Sequence, residues 1–155
     1  MASMSTTLMY RDPKAAMAWL RDALNFETSI LLTDDDGNIA HCEMAYGDCR
    51  VGVAGEWTGP QLGGARMVSP ASLDGQCTQF LWIALDEPLD QHCARARAAG
   101  AQIAQEPEDQ FYGDRTYRVR DLDGHIWCFS QTIGEVSNAE MEARSGLKVE
   151  KGGQP

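Results

Sequence analysis

The sequence predicts an α+β fold made of two copies of one β-α-β-β-β module, and three observations predict it. Two helix-opening prolines, Pro13 and Pro88, stand 75 residues apart, each behind a short run of strand character. Each helix is followed by three strand-like runs separated by turn residues. A stretch rich in glycine and proline, residues 55–77, separates the two units.

Taken in order, Thr6 to Tyr10 is a β-favouring run. Asp12 is an N-cap residue and Pro13 fits the first helical position. Ala16, Trp19, Leu20, Ala23 and Leu24 recur at helical spacing, which predicts a helix over 13–24. Phe26 to Thr33, Ile39 to Tyr46 and Cys49 to Ala54 read as strands, with turns at Asp34 to Asn38 and at Gly47-Asp48. The 55–77 segment is too long for a passive connection and is expected to be locally ordered or to cover a pocket. The pattern then restarts. Gln79 to Leu85 is a strand, and a helix runs from Pro88 through Leu89, Cys93 and Ala96 to a glycine stop at Gly100. His92 is expected on its solvent face. Gln102 to Ala104, Arg115 to Arg120 and His125 to Gln131 are the last strands, with a hairpin turn at Asp121-Leu122-Asp123-Gly124. The expected domain is 1–135, with modules at about 6–54 and 78–132. Residues 136–155 form a polar tail in which Ala139 to Leu147 reads as a short helix.

With 155 residues the chain is one domain by length and can bury a core without staples. The net charge of −10 argues against nucleic acid, which needs clustered Lys and Arg. No apolar run is long enough to span a membrane. Met1 to Ser5 lacks the basic and apolar regions of a secretion signal, so a cytoplasmic location is expected. Five cysteines without a CxxC pair suggest free thiols rather than a disulfide framework or a zinc site.

The acidic Asp34-Asp35-Asp36-Gly37 run is a turn rather than a calcium loop, because its aspartates are consecutive instead of alternate. Asp121 to His125 is informative through its setting, between an arginine-bearing strand and His125-Ile126-Trp127-Cys128-Phe129-Ser130 at the end of the repeated unit.

The stretch from Phe111 to Arg115 through Trp127-Cys128-Phe129 resembles the closing motif of glyoxalase-like proteins of the bleomycin-resistance type, in the branch called PhnB-like. Tyr10 to Leu20 with Asn25-Phe26-Glu27 is similar to that family's first strand and helix, and Ile39 to Met44 with Gly47-Asp48 resembles its third-strand hairpin. The likeness covers residues 6 to about 132. It implies the vicinal oxygen chelate fold: two βαβββ modules in an incomplete mixed-sheet barrel around a concave pocket. It also implies a choice of function. Metalloenzymes of the family, which are lyases, isomerases or dioxygenases, hold one divalent ion through four strand positions bearing His, Gln or Glu. Those positions fall near Ser5, Gly52, Phe80 and Cys128, with Thr6 or Gln79 one residue away, and offer no such set. The leading expectation is therefore a small-molecule-binding protein without the usual metal or other cofactor, acting as a homodimer. The alternative is a divalent-metal-dependent enzyme.

Among candidate site residues, Glu43 stands alone as a carboxylate in an apolar strand, as general base, cation anchor or simple outward-facing residue. His125 opens the terminal strand and is the second acid/base candidate. Trp57, Trp82, Tyr112 and Trp127 lie where strands meet loops and are candidate ligand-binding residues, with core packing the competing role for Trp82 and Trp127. Arg115, Arg118 and Arg120 share a strand, Arg115 on one side and the others opposite. Arg115 joins the ligand-binding candidates as a partner for an anionic group; edge protection is the other reading.

Overall fold

The computed structural model describes residues 4–150. The start of the N-terminal segment read for a leader, and the end of the polar tail, lie outside the described residues.

The first module runs β1 (Thr6–Tyr10), α1 (Pro13–Leu24), β2 (Glu27–Thr33), β3 (Ile39–Tyr46) and β4 (Cys49–Gly55). Asp12 caps α1 by accepting from the Ala15 backbone N–H, and Asn25 ends it in the left-handed conformation. A hairpin of β5 (Trp57–Thr58) and β6 (Arg66–Met67) follows, with short 3₁₀ turns at Pro60–Leu62 and Pro70–Leu73. The 55–77 segment is thus locally ordered. The second module repeats the first: β7 (Phe80–Ala84), α2 (Leu89–Ala98), β8 (Gln102–Asp109), β9 (Asp114–Arg120) and β10 (Ile126–Thr132). Strand β8 runs five residues beyond the expected end at Ala104, through two irregularities in its pairing with β9. Helix α3 (Asn138–Ser145) carries a capping box between Ser137 and Glu140.

Each module makes one four-stranded mixed sheet, in the orders β1-β4-β3-β2 and β7-β10-β9-β8, with the outer pair parallel and the others antiparallel. The sheets do not join, so no barrel closes. Helices α1 and α2 pack together, and one core spans both modules. Phe26 of the first module meets Trp127 of the second edge-on, with ring centroids 5.5 Å apart. Trp127 and Phe129 lie parallel, and Phe129 also stacks on Tyr117.

His92 departs from expectation: it is buried, not solvent-facing. Leu89, His92, Cys93 and Ala96 occupy one helical stripe, and that stripe is the one α2 buries. The His92 ring shares a hydrogen bond with the Tyr117 hydroxyl and packs on Phe129. Burial first, and Arg95 second, push its pKa down to about 4.

The Asp121–His125 turn fastens the modules. Asp121 Oδ2 accepts from the Tyr10 hydroxyl at 2.7 Å and from the Trp127 indole N–H at 3.1 Å, while Oδ1 accepts from the backbone N–H groups of Asp123 and His125. Asp123 accepts from the Arg11 backbone N–H and from the Ser69 hydroxyl, tying in the connecting segment. Both carboxylates are buried, and each is hydrogen-bonded. Cys42, Cys93 and Cys128 are buried, Cys49 and Cys77 exposed, and all five are free thiols.

Candidate functional site

Period-2 alternation decides what each sheet shows to the outside. In β7, Leu81 and Ile83 turn inward, while Phe80 and Trp82 are 54% and 46% exposed. In β9 and β10, Tyr117, Val119, Trp127 and Phe129 face the core, which leaves Arg118 and Cys128 on the other face. Pairing aligns Trp82 with Cys128, Cys128 with Arg118 and Arg118 with Gln105. These four form one row across the face of the second sheet that carries no helix.

The row is chemically distinctive. The Trp82 indole N–H donates to Ser130 Oγ at 2.8 Å. Phe80 and Trp82 form a tilted pair with centroids 6.3 Å apart. The Arg118 guanidinium stands over the Phe80 ring, 6.0 Å from its centroid. Burial raises the Cys128 pKa, opposed by a hydrogen bond with Arg118. Burial also raises that of Tyr112, with Cys128 and Asp114 adding to the effect and Arg118 opposing it. Tyr112 is packed edge-on against Phe111. Between β7 and β1, the outer strand of the other sheet, lies a cleft of about 540 Å³. Its walls include Ser5, Thr6, Arg50, Gln79, Phe80 and Trp82.

The other candidates are dispersed. Trp127 is fully buried in the core, because it alternates with the outward-facing Cys128. Arg115 points to the helix side of its sheet, where it is held by Asp109 at 2.6 Å and by Asp90 of α2 at 3.2 Å. Trp57 is on the β5–β6 hairpin, apart from the cleft walls. His125 Nε2 contacts the Met9 carbonyl at 2.9 Å and so carries a proton there, with the ring edge-on to Tyr10. Glu43 is on the open face of the first sheet, accepting from the Ser29 hydroxyl at 2.9 Å with Arg50 at 3.9 Å. Glu43 and His125 share no partner. Phe80 belongs to the site although it is not among the aromatic candidates above; its signal is the i, i+2 relation to Trp82 at the head of a strand.

The metal positions can be tested on geometry. The residues opposite Gly52 and Cys128 are Thr7 and Trp82, each two residues on from the expected Ser5 and Phe80. A Cβ at position 52 would stand 2.6 Å from Thr7 Oγ1, so the Thr7 side chain fills the space a longer ligand residue would need. On the second sheet the same positions hold an indole and a buried thiol. Among the described residues no three His, Cys, Asp or Glu side chains converge as a metal would require. The residues present do not fit the family's divalent ion.

The model of the Glyoxalase/Bleomycin resistance protein/Dioxygenase superfamily matches residues 4–129. Uncharacterised proteins of Mycobacterium tuberculosis and Mycobacterium bovis are 36% identical over 84 residues, 54% of this chain. The chain spans about half the length of these curated relatives, 54% of the M. bovis protein and 48% of the M. tuberculosis one. Among solved structures, TioX from Micromonospora sp. ML1 is 29% identical, with a TM-score of 0.65 over 88% of this chain and 98% of TioX. TnmS3, an antibiotic binding protein from Streptomyces sp. CB03234, is 18% identical and shares the fold, with a TM-score of 0.62 over 85% of this chain and 97% of TnmS3. The match over most of its length, on a frame of two βαβββ modules, makes this chain a member of the glyoxalase/bleomycin resistance/dioxygenase superfamily.

Proposed function

We propose that this chain is a small-molecule-binding protein that works without the family's divalent metal, with its ligand on the open face of the second sheet and in the adjoining cleft. The observation that carries the reading is the pair Phe80 and Trp82. Two neighbouring large aromatics stand about half exposed on β7, Phe80 where the family resemblance implies a metal ligand and Trp82 beside Cys128, another such position. Small-ligand sites are apolar and aromatic with a few polar groups for orientation, and that is the composition here. TnmS3, of the same fold, is an antibiotic binding protein; one fold hosts many functions, so it is the residues of this chain that point to an aromatic ligand.

The reading includes a homodimer. Ile30, Leu31 and Leu32 are all exposed on the outer strand β2, an unusual edge for a protein that stays monomeric. Each chain also offers two open sheet faces, so a twofold axis can lay the first sheet of one copy over the second sheet of the other, closing both clefts at once.

A thermal-shift screen of aromatic small molecules, metabolites and divalent cations tests the function, because a ligand that binds the native state raises the apparent Tm. Aromatic compounds are expected to stabilise the protein, and Trp82→Leu is expected to abolish the shift. Stoichiometric iron, zinc, manganese or nickel in protein purified without chelator would overturn the metal-free reading. Light scattering that gave a monomer at all concentrations would overturn the dimer.

A further inference from the structure

The arginines of this chain fall into two groups. Arg95 holds Glu87, Arg97 holds Glu106, Arg115 bridges Asp90 and Asp109, and Arg50 lies against Glu43. Arg118, like Arg66 and Arg120, has no carboxylate partner among the described residues. With 23 acidic residues against 13 basic ones, a carboxylate is the neighbour an exposed arginine most readily meets. Arg118 instead stands on an inner strand of an open sheet, its guanidinium over the Phe80 ring.

The neighbours narrow the chemistry. The Trp82 N–H is committed to Ser130, so the indole offers a ligand its π face rather than a hydrogen bond. Phe80 adds a second apolar surface beside it. Stacking against Phe80 restrains Arg118, so less freedom is lost when its planar fork pairs with an anionic oxygen. The cleft, at about 540 Å³, is of the size that takes ligands of a few fused rings.

We infer that the ligand is a planar aromatic acid, whose ring lies against Phe80 and Trp82 while a carboxylate or phenolate oxygen pairs with Arg118. The inference rests on the small-molecule-binding reading above and gives its ligand a charge. It runs against the acidic exterior, which by itself favours cations.

Three probes of one ring system separate these claims: 2-naphthoate, its methyl ester, and 2-(aminomethyl)naphthalene. Calorimetric titration of the full chain is expected to give naphthoate an affinity at least about tenfold above the ester, the range of a charge-assisted hydrogen bond. The amine is expected to bind weakest. Arg118→Gln should bring naphthoate down to the ester's affinity and leave the ester unchanged. Arg118→Lys should keep part of the preference, since it retains charge but not the fork. Higher salt should reduce the naphthoate advantage and spare the ester. Equal affinity for acid and ester, with both lost in Trp82→Leu, would overturn the anion subsite and leave the binding reading standing. A preference for the amine would overturn it as well. Binding of none of the three would sink the aromatic site itself, and this inference with it. Should Arg118→Gln fail to fold, the acid–ester comparison in the unaltered protein still decides.

Discussion

The two modules place different chemistry on the same backbone. Across the open face of the first sheet, one row reads Thr7, Gly52, Glu43, Ile30. Across the second it reads Trp82, Cys128, Arg118, Gln105. The rows are related by the same offset, to within a residue, that separates Pro13 from Pro88. In the first row, a small residue packs over a glycine and the one charge is already met by Ser29 and Arg50. In the second, an aromatic surface is exposed and the charge has no carboxylate partner among the described residues. Duplication supplies two equivalent platforms; the side chains on one row decide which becomes a site. The same asymmetry holds behind the sheets, and each instance can be broken by substitution.

The largest effect is expected where the modules differ most in burial, at their closing hairpins. The first turns through Gly47 and Asp48 in solvent. The second turns through Asp121, whose carboxylate meets four N–H or O–H donors. Asp121→Ala strands the Tyr10 hydroxyl, the Trp127 indole and two backbone amides in the core. A loss of about 3–5 kcal/mol is expected, against less than about 0.5 kcal/mol for Asp48→Ala. Urea unfolding measures both. Similar costs would mean that the clasp does not hold the modules together.

The helices give the next contrast. Met17 of α1 and His92 of α2 are equivalent by the 75-residue offset, and both pack on the core. His92 alone can titrate. Its folded pKa, about 4, lies below that of the unfolded chain. The unfolded state therefore binds more protons between those values, and stability falls as pH drops from about 6.5 towards 4. The neutral imidazole contributes fully above that window. His92→Gln, read against the unaltered protein by thermal unfolding from pH 8 to 4, is expected to show a shallower acid loss, by roughly 1–3 kcal/mol at the low end. Parallel curves would remove His92 as a source of acid sensitivity.

This pair also shows what the sequence could tell. Repetition, caps and strand alternation are local signals, and they locate the strands and helices of both modules, though not the extension of β8 beyond Ala104. His92 carries such a signal as well, three residues after Leu89 and four before Ala96, and its position on that stripe, not its polar side chain, decides its burial. Trp127 was a matter of phase: it and Cys128 alternate, and only the packing of Phe26 on its ring fixes which of them faces inward. Arg115 was beyond local reading. Its partners Asp90 and Asp109 arrive from α2 and β8, and nothing near Arg115 in sequence announces them. The unpaired state of Arg118 was hidden for the same reason, because lacking a partner is a property of the whole fold.

The smallest effect is expected at Glu43, and it bears most directly on the comparison. Glu43 stands on the first sheet where Arg118 stands on the second, and its contacts with Ser29 and Arg50 are partly open to solvent. Pairs of that kind are worth at most about 1 kcal/mol. Glu43→Gln keeps the shape and the Ser29 hydrogen bond while removing the charge. Stability is expected to change by less than about 0.5 kcal/mol, and naphthoate affinity to stay within about twofold, a change that small in free energy. A retained affinity keeps ligand recognition on the second sheet alone. A large gain in naphthoate affinity would instead place the carboxylate close to the bound anion. Because Arg50, which Glu43 contacts, is a wall of the cleft that Phe80 and Trp82 also line, that outcome would bring the first sheet into the site, from the same chain or from a second copy laid over it. The two sheets would then both line the site, and their difference in charge would be a division of labour between them.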